Sequence, residues 1–364
     1  MAGERGIAGD LATGAKRAFY SASQMARIAW YTGHYMAGRR KMGPLTRPGE
    51  APYAEEFAPL DRARLKSAFS ELFKADWRNI EAGLYKMPLE LRRPPSPATL
   101  AKLSRDYLKD TESVARRKHH HIHSEVLSAE ASEKYPRYYL QNFHYQSDGW
   151  LSAESAARYD MQVETLFTGA AAAMRRQTLP FIRKAIAEYE EGGDEENISL
   201  VDIACGAGGY LETILDNWPR LRATGLDLSP AYLSLARRLL KRYRHVSLVE
   251  GKAEAMNFAD ASFNVATAVY LFHELPPKVR DEAALEIARI LKPGGTFILA
   301  DTIQYGDEPG LDVLLENFPR GFHEPYYDSY CRLDLETHFA KAGLEKCGET
   351  VAFLTKVTAF RKES

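Results

Sequence analysis

A chain of 364 residues, 45% hydrophobic and 27% charged, has ordinary globular composition and the length for one large domain plus a substantial extra segment. Lys and Arg total 48 against 49 Asp and Glu, a balance that argues against nucleic acid as a partner of the whole molecule. The three cysteines, Cys205, Cys331 and Cys347, form neither a disulfide scaffold nor a CxxC metal site, and neither a spanning apolar run nor a secretory-type apolar block is present, so a cytoplasmic protein is expected.

No acidic residue stands between Asp10 and Glu50, which makes residues 11–49 a basic segment with Lys16, Arg17, Arg27, Arg39, Arg40, Lys41 and Arg47. Phe19, Tyr20, Met25, Ile28, Trp30, Tyr31, Tyr35 and Met36 interleave with these cations, as in an amphipathic helix. Docking of the aromatics on the protein's own core is the favoured reading; peripheral contact of residues 11–41 with an anionic membrane and an Arg-rich transit peptide are the alternatives.

Residues 43–59 hold Pro44, Pro48, Pro52 and Pro59 and read as an irregular connector. Leu65, Phe69, Leu72, Phe73, Trp77 and Ile80 predict a helix over 60–82, and Ser96 followed by Pro97 caps another that runs towards the histidines. In the run HHHIH, His119 and His123 are four apart and would share a helical face, but with no third ligand nearby and Arg116, Arg117 and Lys118 adjacent, no metal site is expected. The aromatic stretch 135–150, with Phe143, His144, Tyr145 and Trp150, reads as a lid; Ser152 caps a helix through Leu166, and one more helix covers 170–189. An acidic, glycine-containing stretch then sets a boundary near Gly193, dividing a helical region, 1–193, from a strand–helix alternation, 194–364.

In ISLVDIACGAGG a β-branched strand ends in small residues and enters an apolar-periodic helix. Gly206, Gly208 and Gly209 allow the sharp turn and leave room for a ligand at the helix N-terminus. Such a turn alone is shared with dinucleotide-binding folds. The second strand, RATGLDLS, adds Asp227 at its carboxyl end, where a carboxylate accepts from both hydroxyls of a ribose. Strands follow at HVSLVEG, SFNVATAVYLF and TFILAD.

Residues 198–304 resemble the class I S-adenosylmethionine-dependent methyltransferases through VDIACGAGG, GLDLS, VEGKAEAMNFADASFN and LKPGGTFILAD. The resemblance implies an α/β, Rossmann-like, seven-stranded and mostly parallel sheet, closed by an antiparallel hairpin at about 344–350 and 352–360. It also implies S-adenosyl-L-methionine as cofactor, on Asp202, Ala204, Cys205, Gly206, Gly208, Asp227, Leu228, Ala253, Glu254 and Tyr270. Lys252 and Asn264 stand where the family commonly has Asp; a lysine only donates, so Ala253 and Glu254 must meet the adenine instead. Residues 304–344, with PYYDSY and FAKAGLE, are moderately similar to the ubiquinone and menaquinone C-methyltransferases, which implies a small lipophilic or aromatic acceptor.

Ligands of such sheets lie beyond the carboxyl ends of the strands, which points to His273 and Glu274 as general-base candidates, with His144 of the lid as a third. The insertion 305–332 supplies His323, Glu324, Tyr326, Tyr327 and Tyr330, which with Gln304, Phe143, Tyr145 and Trp150 are expected to line the acceptor pocket. VYLFHEL follows the fourth strand in place of the Asn/Asp-Pro-Pro-Tyr of enzymes that methylate nucleic acid bases. Two other functions fit the same core: cyclisation or rearrangement with the cofactor as an electrostatic element, and a membrane-associated protein that only binds.

Overall fold

The computed structural model of the protein describes residues 2–42, 59–190 and 197–363, so most of the proline-rich connector and the boundary near Gly193 lie outside the described residues. The first half is helical: α1 Ala2–Met42, α2 Arg62–Glu81, α3 Leu89–Arg92, α4 Pro97–His120, α5 Ala129–Lys134, α6 Ala153–Leu166, α7 Ala171–Arg176 and α8 Leu179–Glu190. The expected caps are made. Ser96 Oγ accepts from the Thr99 amide and Ser152 Oγ from that of Ser155, each satisfying a donor that the first helical turn leaves open.

Two expectations change. The single helix over 170–189 is broken at Gln177–Thr178, because Pro180 has no N–H for the carbonyl of Arg176; Thr178 Oγ1 turns back onto Arg175 O instead. The histidine run does not stay helical either: α4 stops at His120 and His121 adopts φ 52°, so His119 and His123 do not share a helical face. His123 instead stacks on His323, with centroids 4.1 Å apart.

Beyond α8 lies one sheet of β1 Ser199–Ile203, β2 Arg222–Asp227, β3 Val246–Glu250, β4 Phe263–Val269, β5 Leu291–Thr302, β6 Leu344–Ala352 and β7 Thr355–Lys362. Its order is β3-β2-β1-β4-β5-β7-β6, parallel except for β7, which runs antiparallel to both β5 and β6. The connecting helices are α9 Gly209–Asn217, α10 Pro230–Leu239 and α11 Pro277–Ile290, and between β5 and β6 stand α12 Asp312–Gly321, α13 Tyr327–Cys331 and α14 Leu335–Ala340. Strand order reverses between β1 and β4, which opens a crevice at their carboxyl ends. The β4 residues Phe263 to Ala268 are all buried, as helices on both faces of a parallel sheet require. Asn264 has a structural use: its Oδ1 accepts from the Ser199 amide at 3.0 Å and from Lys292 Nζ at 2.9 Å, tying β1 to β4 and β5.

The helical half is fastened by a buried charge. Asp76 on α2, fully buried, takes Arg176 Nε and Nη2 at 2.9 and 2.7 Å, Tyr20 Oη at 2.6 Å and Tyr85 Oη at 2.6 Å. Arg176 also reaches Glu90 at 2.6 Å, so α1, α2, α3 and α7 meet on one satisfied network. The basic residues of α1 find acids outside their own segment, Arg27 on Glu164 and Lys41 on Glu112. Helix α1 thus docks on the protein through Tyr20, Gln24 and Gly38, while Phe19, Met25 and Met36 are left exposed.

Candidate active site

The loop after β1 is shaped by left-handed backbone at Ala204 (φ 58°), Gly206 (φ 55°) and Gly208 (φ 85°). Gly208 caps α9 and sits against α10: a Cβ there would lie 3.1 Å from that of Ala236, so this glycine serves packing and does not line the cleft. Asp227 fixes the loop. Its two oxygens accept from the Gly206 and Ser229 amides, both at 2.8 Å, and each keeps a lone pair for a further donor. Burial raises its pKa to about 6 against those bonds. Asp202 is buried beside it and raised to about 7, chiefly by burial, against the bond from Thr267. The second oxygen of Asp202 has no partner, a buried acceptor turned to a cleft that would receive a ligand's donor.

The cleft is walled by Ala204, Cys205, Gly206, Asp227, Leu228, Ala253 and Tyr270, as expected for the cofactor, and by Phe143 and Trp150, which were expected on the acceptor. Tyr138 and Tyr139 of the lid stretch, Tyr159, Asp160 and Arg175 of α6 and α7, and Tyr232 of α10 also line it, and none of these six was singled out as a cofactor residue. Arg175 approaches Asp160 at 3.4 Å and lies over the Tyr270 ring at 5.8 Å, a cation in the cleft suited to a carboxylate. Glu254, expected at the adenine, is absent from the lining. Its Oε1 accepts from Tyr138 Oη at 2.8 Å and its Oε2 is buried without a partner, while Lys252 does reach the cleft.

Back to back with this cleft is a second, mainly apolar cavity of about 1290 Å³ counted out to its mouth. Tyr35 and Met42 of α1, Tyr107 of α4, Val163 and Leu166 of α6, and Leu314, Leu315 and Phe318 of α12 line it, together with His144, His273 and Tyr327. Trp150, Tyr159, Tyr270 and Glu274 line both spaces and form the wall between them. Tyr270 holds φ 55° and bonds Thr355 Oγ1 at 2.6 Å; backbone strain of this kind persists only where surrounding contacts hold it.

Two of the proposed proton-transfer residues follow β4 in a short 3₁₀ turn, Phe272–Glu274. His273 Nδ1 meets Asp301 Oδ1 at 2.5 Å, and the other Asp301 oxygen accepts the Phe272 amide at 2.9 Å. Burial alone would lower the His273 pKa, but the Asp301 charge and hydrogen bond, with Glu324 and Glu274 further off, carry it to about 9. At neutral pH this ring is a donor. Glu274 is pushed well up by burial and by Glu324. His144, in the lid, approaches the buried Glu324 at 2.7 Å.

Several expected acceptor contacts prove structural. Gln304 Nε2 holds the carbonyls of Tyr330 and Leu333; Tyr330 is fully buried under the Arg280 guanidinium. His323 bonds Gln141 at 2.7 Å, Tyr326 receives the Gln141 amide, and Tyr145 is buried beside His144 without reaching the large cavity. Local spacing could not separate these from Tyr327, because the face each ring presents is fixed by contacts with the lid and with α11.

Comparison with known proteins agrees with this geometry. A family profile described as "Methyltransferase domain" matches residues 200–295. The chain is 33% identical to the sterol 4-C-methyltransferase strm-1 of Caenorhabditis elegans over 31% of its own length and 33% of that protein. It is 30% identical to the ubiquinone/menaquinone biosynthesis C-methyltransferase UbiE of Nitrobacter hamburgensis over 45% of its length and 62% of that protein. The chain therefore spans from a third to under two thirds of these relatives. A solved SAM-dependent methyltransferase from Aquifex aeolicus superposes with a TM-score of 0.36 and 16% identity, over 49% of this chain and 88% of that one. The α/β half has the fold of a class I methyltransferase, and residues 200–295 within it match the methyltransferase domain. Its cofactor is S-adenosyl-L-methionine.

Proposed function

We propose that the chain transfers a methyl group from S-adenosyl-L-methionine to a small lipophilic or aromatic acceptor seated in the apolar cavity. The observation that carries this is the wall of Trp150, Tyr159, Tyr270 and Glu274 shared by the two spaces. The cofactor supplies an electrophilic methyl on a sulfonium. Asp227 would take the ribose hydroxyls, the unpartnered oxygen of Asp202 the amino group, Arg175 the carboxylate, and Leu228, Lys252 and Ala253 the adenine end. Trp150 and Tyr159 exclude water from the junction and align the acceptor, the main tasks in an in-line displacement.

His273 meets the polar atom of the acceptor. Braced through Nδ1 by Asp301, its ring keeps one orientation and donates a hydrogen bond to an acceptor oxygen, favouring the ionised nucleophile that then takes the methyl. Chain, labelled methyl donor and a total lipid extract should give label in the organic phase, and His273→Asn should lower the rate by about 100-fold with cofactor affinity intact. Label found only in water-soluble products would sink the lipophilic acceptor.

Tyr35 and Met42 at the end of α1 line the cavity, and Arg39 and Arg40 beside them are exposed. We place this end on an anionic lipid surface, from which the acceptor enters. No helix among the described residues is long and apolar enough to cross a membrane. Sedimentation with anionic liposomes should fall when Arg39 and Arg40 are changed to Glu; equal sedimentation would remove the contact.

A further inference from the structure

We propose that His144, Glu274 and Glu324 form a divalent-cation site beside the wall between the two cavities, placed to hold an oxygen of the acceptor. One ligand atom from each lies within 4.8 Å of the others. They come from three separate segments, the aromatic lid, the turn after β4 and the insertion after β5. In an octahedral site with ligands at about 2.1 Å, neighbouring ligand atoms stand about 3 Å apart and opposite ones about 4.2 Å, so a bound ion would draw the three together.

A second observation points to a ligand. The Glu324 side chain is fully buried, and neither of its oxygens has a hydrogen-bond partner. His144 Nε2 stands 2.7 Å from one of them and approaches without the geometry of a hydrogen bond. A buried carboxylate left this way needs a cation. The nearby charges do not supply one, because His273 is already committed to Asp301. The lid backbone is bent to bring its imidazole here: His144 and Tyr145 both hold φ 54°.

Two carboxylates and one imidazole, with no thiolate, suit borderline or hard ions such as Mn²⁺, Fe²⁺, Co²⁺ or Zn²⁺ and leave positions open for oxygen ligands. Glu274 also lines the cofactor cleft, and His144 lines the acceptor cavity, so an ion here would face both. The ion site stands on its own geometry; its use on an acceptor oxygen rests on the reading of the cavity given above.

The test is titration of the chelator-treated full chain with Co²⁺, followed by visible absorption. One equivalent should bind and give ligand-field bands, and His144→Gln and Glu324→Gln should each weaken binding at least tenfold. S-adenosylhomocysteine calorimetry on the same samples is independent of the ion: absence of binding heat in the parent chain would count against the cofactor assignment and not against the ion, and retained heat in a variant shows that it is folded. His144→Gln guards against misfolding of the more buried Glu324 variant. Absence of Co²⁺ bands in the parent chain, or bands of equal strength in both folded variants, would overturn the site.

Discussion

The cofactor cleft and the acceptor cavity share a wall yet are built on opposite plans. The glycine loop and carboxylate of the cleft follow from one strand–turn–helix unit and its neighbour: Gly206 and Asp227 are 21 residues apart in sequence and are joined by a single 2.8 Å hydrogen bond. The cavity has no such unit. Tyr35, Tyr107, Leu166 and Phe318 come from four helices spread over most of the chain. A cofactor common to a fold can be bound by local geometry repeated with it, whereas an acceptor site is assembled from added segments and changes with them.

If that contrast is right, changes on the two sides should separate. The largest effect should come from the network that carries the helical half: Asp76→Ala leaves Arg176 buried without its main partner and should cost about 3–5 kcal/mol, read by denaturant unfolding. Asp227→Ala should come next, weakening S-adenosylhomocysteine by about 100-fold as two hydrogen bonds to a charged acceptor are lost, at about 1.5 kcal/mol each. Its folded variant should keep the shape of the apolar cavity and still bind acceptor analogues. Phe318→Ala should do the reverse, raising the acceptor KM about tenfold through lost apolar contact while cofactor calorimetry stays unchanged.

The smallest effect is with pH. Folded Asp227 keeps its proton up to about pH 6, whereas an unfolded aspartate loses it near 4, so its burial costs stability as pH rises from about 4 to 6. A ribose that binds the carboxylate gains in the upper part of that range. Cofactor affinity should therefore tighten by up to about tenfold between pH 5 and 7, and a flat profile would show that the ribose is held elsewhere.

The same contrast explains what could be read in advance. Strand β1, the glycine turn, Asp227 and the Ser96 and Ser152 caps were legible because each is a short-range pattern with one physical solution. Arg175 and Tyr159 were not, since nothing in their local spacing tells that α6 and α7 wall the cleft. Tyr330 and Tyr327 are three residues apart in the same motif, yet one packs under Arg280 and the other meets the cavity. Glu254 stands outside the cleft lining for a similar reason, as Tyr138 from the far half of the chain holds one of its oxygens.

The wall of Trp150, Tyr159, Tyr270 and Glu274 is the point on which the functional reading turns. A crystal structure with S-adenosylhomocysteine and a lipophilic acceptor analogue would test it most directly. The account predicts the ribose on Asp227, the thioether sulfur against this wall, and the analogue on its other side next to His273. A sulfur turned away from the wall, or an analogue bound outside the apolar cavity, would contradict it.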